Sequence, residues 1–258
     1  MMARPIYADQ QCMTEPVIRF TKVDKSFGQS KVLRGVEFDI AEGAFFGLAG
    51  VNGAGKTTLI KCLLDFCALD GGQISLFGTS HRDPASRERL AFLPERFTPP
   101  YYLTGRDFIR YMLSLHRQPW NETRLAEILD QLGLDMAALA KPVRSYSKGM
   151  TQKLGLAVCF LSERDLYILD EPLSGLDPSA RIRVKNLLKG LKKAGRTLFF
   201  TSHALHDIGD ICDHMVILHE GQPRFCGPPQ QLLDTYGEIS MERAFLRCLD
   251  ASPPVKDD

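Results

Sequence analysis

The run Gly50-Val51-Asn52-Gly53-Ala54-Gly55-Lys56-Thr57-Thr58 has the spacing GxxxxGK[ST]. Glycines at these intervals let the backbone double back with its N–H groups converging, which makes a nest for phosphate oxygens. A helix opening at Gly55 adds the partial positive charge of its N-terminus. Lys56 is then the cation for the β- and γ-phosphates, and the Thr57 hydroxyl is an oxygen ligand for Mg²⁺. Gly50, Asn52, Gly53, Ala54, Gly55, Lys56, Thr57 and Thr58 are the candidate nucleotide contacts. A plain glycine-rich turn would not need the Lys-Thr pair.

A second group lies well downstream. Leu166-Tyr167-Ile168-Leu169 reads as a buried strand, and it ends in Asp170-Glu171. Acids at the C-terminal edge of a parallel strand stand on the ligand side of the sheet. One carboxylate can hold Mg²⁺ through water, and the next can polarise a water in line with the γ-phosphate. Asp170 is assigned to the metal and Glu171 to the water. Alone, such a pair is an ordinary solvated strand end; following a phosphate loop, it has this chemistry to do.

The elements that must carry these residues are legible as patterns. Val36–Ile40 alternates apolar and acidic residues, as a half-buried strand does. Phe45–Ala49 is a continuous apolar run ending in glycine, and a helix is expected from Gly55 to about Phe66. Gln73–Phe77, Leu90–Leu93, Leu166–Leu169, Thr197–Phe200 and Met215–Leu218 read as further strands. Pro178–Lys193 reads as an amphipathic helix with proline at its start and Gly195 past its end. From Thr104 to about Leu139 the pattern is helical only, broken at Gly133 and Lys141-Pro142. Buried strands alternating with helices predict a largely parallel sheet.

The chain has 258 residues, 44% of them hydrophobic and 24% charged, with a formal net charge of +1. That is long enough to bury a core without disulfides or a structural metal. The charge balance argues against a general polyanion binder, so no nucleic-acid partner is expected. No apolar run approaches the roughly 18 residues of a membrane span; the longest are Gly43–Val51 and Leu154–Leu161. No basic segment followed by an apolar one opens the chain as a signal peptide would. Residues 1–15 are expected to be a flexible leader, within which Met13 is an alternative start, and residues 239–258 a short helix and tail. Cys12, Cys62, Cys67, Cys159, Cys212, Cys226 and Cys248 form no CxxC pair and read as reduced thiols, mostly packed as small apolar groups.

In this order the motifs resemble those of the ATP-binding subunit of an ABC transporter, over about Val17–Leu233. Tyr146-Ser147-Lys148-Gly149-Met150 resembles the family's LSGGQ signature, and Pro172-Leu173-Ser174-Gly175-Leu176-Asp177 its D-loop. His203, in Thr201-Ser202-His203, matches the switch histidine, and Phe27 the aromatic that stacks on adenine. The resemblance implies an α/β fold: a P-loop NTPase core with a mostly parallel sheet, a small antiparallel β subdomain and an all-helical insert. It implies one ABC ATPase domain over 16–238, with the insert at about 96–155. It also implies ATP and Mg²⁺, with Glu171, His203, Lys56 and Glu95 in catalysis and Thr57, Asp170 and Glu95 at the metal. Phe27, Ser147, Gly149 and Asp177 join the nucleotide contacts. Each ATP would lie between Gly50–Thr58 of one chain and Ser147–Gly149 of a second ABC ATPase subunit, identical or different. A separate integral membrane permease would receive the motion, with this chain peripheral on the cytoplasmic face, and Leu103-Thr104-Gly105 would open the docking surface.

Three positions depart from the family pattern. Glu95 stands where many members have the Q-loop glutamine, which keeps an oxygen ligand but adds negative charge. Lys148 replaces the first signature glycine, where a positive φ would disfavour it. Met150 replaces the signature glutamine. Such variants resemble an exporter-like branch. The rival readings are a soluble ABC-type ATPase without a transporter and a small-molecule P-loop kinase. The kinase would not need Ser147, Asp177 and His203 in this order. The cargo is not encoded in these motifs.

Overall fold

The computed structural model describes residues 15–251, so Cys12, Met13, nearly all of the expected leader and the end of the tail lie outside the described residues. The chain begins β1 (Ile18–Phe27), β2 (Ser30–Ile40), β3 (Phe45–Ala49), α1 (Lys56–Leu63), β4 (Gly71–Leu76), β5 (Thr79–Ser80) and β6 (Leu90–Leu93). It continues α2 (Gly105–Leu115), α3 (Glu122–Leu132), α4 (Lys148–Leu161), β7 (Leu166–Leu169) and α5 (Pro178–Lys193). It ends β8 (Thr197–Thr201), α6 (Leu205–Ile211), β9 (His214–His219), β10 (Gln222–Gly227), α7 (Pro229–Tyr236) and α8 (Met241–Asp250). Two compact units result: one from the residues up to Arg87 together with those from Thr197 onward, the other Glu88–Arg196. Among the described residues no helix is long and apolar enough to cross a membrane.

The first unit holds an antiparallel sheet in the order β2-β1-β4-β5 and strands in the order β10-β9-β3-β8. β3 runs parallel to both β8 and β9, and β10 returns antiparallel along β9. All five residues of β3 are buried, as expected of a strand covered on both faces. Gly47 lets α6 approach, since a β-carbon there would stand 2.6 Å from Ile208 Cγ2. Phe20, Phe38, Phe46 and Phe199 form the aromatic core between the two sheets, with Phe38 and Phe46 stacked at 5.4 Å.

The second unit holds the parallel pair β6 and β7, with Leu90–Leu93 in register with Leu166–Leu169. Its helices carry side-chain caps: Thr104 accepts from Asp107 N–H, Asn121 from Arg124 N–H, Ser147 from Met150 N–H and Asp177 from Ala180 N–H. Such caps satisfy backbone donors that the first turn leaves open. Three-residue to five-residue 3₁₀ turns at Met136–Ala140 and Val143–Ser145 lead into α4. The helix expected from Gly55 to Phe66 stops sooner, at Leu63. Asp65 takes a φ of +60°, and Phe66 N–H closes onto the Lys61 carbonyl at 2.9 Å, so the chain turns off the helix axis.

Candidate nucleotide site

The expected site residues fall in both units. In the first unit, β3 delivers the chain to Gly50, and the loop to Gly55 leads into α1. Gly55 is left-handed at φ 106° and caps α1. A β-carbon there would stand 2.8 Å from Leu33 Cδ2 and 3.0 Å from the Val32 carbonyl oxygen of β2. Gly50 is buried, and a β-carbon on it would overlap the Leu218 carbonyl oxygen of β9. The Gly221 N–H of the β9–β10 turn donates to the Ala54 carbonyl at 3.2 Å, which backs the loop from behind.

The outer face of the same loop is open. Val51, Asn52 and Gly53 are exposed, and a β-carbon on Gly53 would meet nothing within 4 Å. Lys56 is only 7% exposed, and its ammonium lies inside the loop, donating to the Gly50 carbonyl at 2.7 Å and the Val51 carbonyl at 3.2 Å. Thr57 is exposed in the first turn of α1, and Thr58 is half-buried. An open glycine-walled concavity with a cation across it and a hydroxyl at a helix start fits a nucleotide's phosphates and an accompanying Mg²⁺.

Phe27 ends β1 at the hairpin with β2 and is 53% exposed. Its place is set by charge. Asp70 accepts from Lys25 Nζ at 2.9 Å and from Ser26 N–H at 2.6 Å. The Lys25 ammonium, and then the Ser26 N–H, hold the Asp70 carboxyl below its usual range. Lys25 also stands 5.3 Å from the centre of the Phe27 ring. His203 lies exposed just past β8, where Ser202 Oγ accepts from Ala204 N–H at 3.1 Å and shapes the turn.

In the second unit, Asp170 and Glu171 follow β7 and are only 4% and 7% exposed. Asp170 N–H donates to the Leu93 carbonyl at 2.8 Å, which extends the β6–β7 pairing past its end. Glu95 is exposed beyond β6. Ser147 is the exposed cap of α4, and its Oγ accepts from Met150 N–H at 3.2 Å. Lys148 opens α4 and is absent from the positive-φ residues, so its replacement of glycine carries no backbone strain. Gly149 faces Gly175, since a β-carbon on it would stand 3.4 Å from the Gly175 carbonyl oxygen. The structure thus brings the Ser147–Gly149 turn onto the Pro172–Asp177 segment. Asp177 caps α5, and its carboxyl is held low by Ala180 N–H and then by the Ser179 hydroxyl.

Gln152 was missed in the sequence. It is 6% exposed and donates Nε2–H to the Pro172 carbonyl at 3.0 Å. The available signal was a polar residue at helical spacing with the apolar Leu156 and Cys159.

The family model described as "ABC transporter" matches residues 33–174. An uncharacterized ABC transporter ATP-binding protein, all4389, of Nostoc sp. strain PCC 7120 is 41% identical over 78% of this chain. The chain spans 61% of that relative's length. The Nod factor export ATP-binding protein I of Paraburkholderia xenovorans strain LB400 is 34% identical over 86% of this chain and 74% of its own. A solved ATP-binding subunit of an ABC transporter superposes with a TM-score of 0.82 at 27% identity. That match covers 90% of this chain and 99% of the other. With its motifs on a matching fold, the chain belongs to the ABC transporter family.

Proposed function

We propose that the chain is the ATP-binding and ATP-hydrolysing subunit of an ABC transporter, driving substrate through a separate membrane subunit. The observation that carries this is the exposed start of α4. Ser147 accepts from its own helix and keeps its O–H to donate outward, beside the Gly149 backbone at a helix N-terminus. This is a second anion-binding surface besides the phosphate loop, and a P-loop kinase has no use for it. Its proposed ligand is the γ-phosphate of ATP held by the loop of a second ABC ATPase subunit.

In the proposed cycle, the Gly50–Thr58 loop binds the phosphates by its backbone donors and Lys56, while Phe27 stacks on adenine. Thr57, Asp170 and Glu95 would hold Mg²⁺, which would supply neutralisation of the phosphate charge when bound. Glu171 polarises the attacking water, and His203 donates to the γ-phosphate and so reports its presence. Asp177 and Ser147 act at the dimer face. ATP bridges two chains and ADP does not, so ATP favours the closed dimer. The helical segment around Leu103-Thr104-Gly105 docks on the membrane subunit at the cytoplasmic face. Its exposed Tyr101, Tyr102, Tyr111 and Leu115 are apolar surface suited to a protein partner. The resemblance to a Nod factor export protein favours export as the direction.

Glu171→Gln tests the reading. It is expected to keep ATP affinity, lose most turnover and accumulate the ATP-bound state. Turnover at the unsubstituted rate would remove Glu171 from this role. Lys56→Ala is expected to abolish tight binding in a nucleotide titration; unchanged affinity would contradict the loop assignment.

A further inference from the structure

Glu171 is held in a backbone conformation that residues with a β-carbon rarely adopt. Its φ is +52°, in the left-handed region. A strained residue persists only where its neighbours fix it. On the strand side, Asp170 N–H is tied to the Leu93 carbonyl at 2.8 Å. Next comes Pro172, which has no N–H to offer. On the far side the Pro172 carbonyl accepts from Gln152 Nε2–H at 3.0 Å, which reaches it from the buried face of α4. Ser174 N–H donates back to the Glu171 carbonyl at 3.1 Å and completes the turn.

Gln152 is a polar residue on the buried face of α4. Leu156 and Cys159, one and two turns further along α4, are buried apolar neighbours on the same helix. A methionine would fill similar volume there without a donor. A buried amide at such a place implies a bond that matters. The first turn of α4 adds to the hold: the Lys148 stem lies against Gly175, and Gly149 faces the Gly175 carbonyl.

We infer that Gln152 is a positioning residue for Glu171: by fixing the Pro172 carbonyl it maintains the left-handed backbone that sets the direction of the Glu171 side chain. This rests on the reading of Glu171 as the residue that polarises water, and it adds a residue from the far side of the signature turn to that site.

The test is steady-state ATPase activity of the full chain as Gln152→Met, Gln152→Glu, Glu171→Gln and the Gln152→Met/Glu171→Gln double variant. Gln152→Met is expected to lower kcat about tenfold with KM for ATP within about twofold, the mark of an interaction expressed in the transition state. Gln152→Glu adds a readout that packing alone would not move. Its carboxyl can donate to the Pro172 carbonyl only while protonated. Its kcat relative to the unsubstituted chain is therefore expected to fall as pH rises through a carboxyl pKa that burial raises, whereas the ratio for Gln152→Met stays flat. In the Glu171→Gln background, Gln152→Met is expected to cause little further loss. Unchanged kcat in both Gln152 variants, or the same loss from Gln152→Met with and without Glu171, would overturn the inference alone. Undiminished turnover in Glu171→Gln would overturn the underlying reading instead. If Gln152→Met fails to fold, the pH series of Gln152→Glu decides: a falling ratio supports the inference and a flat one overturns it.

Discussion

The aliphatic stem of Lys148 covers Gly175 so closely that a β-carbon on Gly175 would stand 2.8 Å from Lys148 Cε and 3.0 Å from Cδ. Gly175 also has a φ of +74°. A lysine tip swings aside cheaply, whereas a left-handed backbone cannot be relieved that way. Gly175→Ala is thus expected to destabilise by about 1 kcal/mol, mainly through φ. Adding Lys148→Ala should recover little of it, as read from urea midpoints. Full recovery in the double variant would show that the side-chain overlap dominates.

The phosphate loop contains two glycines that do different work. A β-carbon on Gly50 would overlap a backbone oxygen of Leu218, which cannot step away, while one on Gly53 would meet nothing. Gly50→Ala is expected to cost about 1–3 kcal/mol of stability as overpacking. Gly53→Ala should cost about 1 kcal/mol, all of it backbone strain at a φ of +82°, yet weaken ATP binding by placing a methyl on the loop's open face. Urea unfolding and ATP titration of both variants separate the two effects; equal losses of stability would contradict the distinction.

Phe27 is exposed, so its removal should leave the fold intact. Base–aromatic stacking is worth about 1–3 kcal/mol, so Phe27→Ala is expected to weaken ATP by about tenfold or more. Phe27→Trp should restore it. Guanine nucleotides should respond alike, because every base offers a π-face. Unaltered affinity in Phe27→Ala would remove the ring from the site.

Burial, and then the Arg164 guanidinium, push the His116 imidazole below its ordinary value of 6.5. Arg164 Nη2 stands 3.3 Å from His116 Nδ1. Below about 6.5 the unfolded chain binds the proton more readily than the folded one, so stability falls with falling pH. The contribution is fully present above 6.5 and is lost as pH drops through the folded value. His116→Gln should remove this component, measured as the difference between urea midpoints of the two chains from pH 8 to 5. Parallel curves would contradict it.

Legibility followed covering and phase. Phe45–Ala49, Leu90–Leu93, Leu166–Leu169 and Pro178–Lys193 have the boundaries that pattern alone suggests. β1 was missed because its alternation changes phase. Ile18 and Phe20 are buried, then Val23 and Lys25, across an irregularity at Lys22, whose φ is +45°. β10 was missed because Pro223 argues against a strand; as an edge strand it tolerates the missing donor. The glycine loop, the acids after β7 and the cap of α4 are local motifs and could be read directly. The Asp70–Lys25–Ser26 ties beneath Phe27 and the Gln152–Pro172 bond join residues far apart in sequence, and no local pattern announces them.

The chain is proposed to be an ATPase that works on a membrane partner. The most direct measurement is to tag the Glu171→Gln chain, express it at native level and identify what purifies with it from solubilised membranes in ATP. Recovery of a polytopic membrane protein in stoichiometric amount is expected and would lead to the cargo. Recovery only from the soluble fraction, with ribosomes or another cytosolic partner, would contradict the transporter reading in favour of a non-transport ATPase.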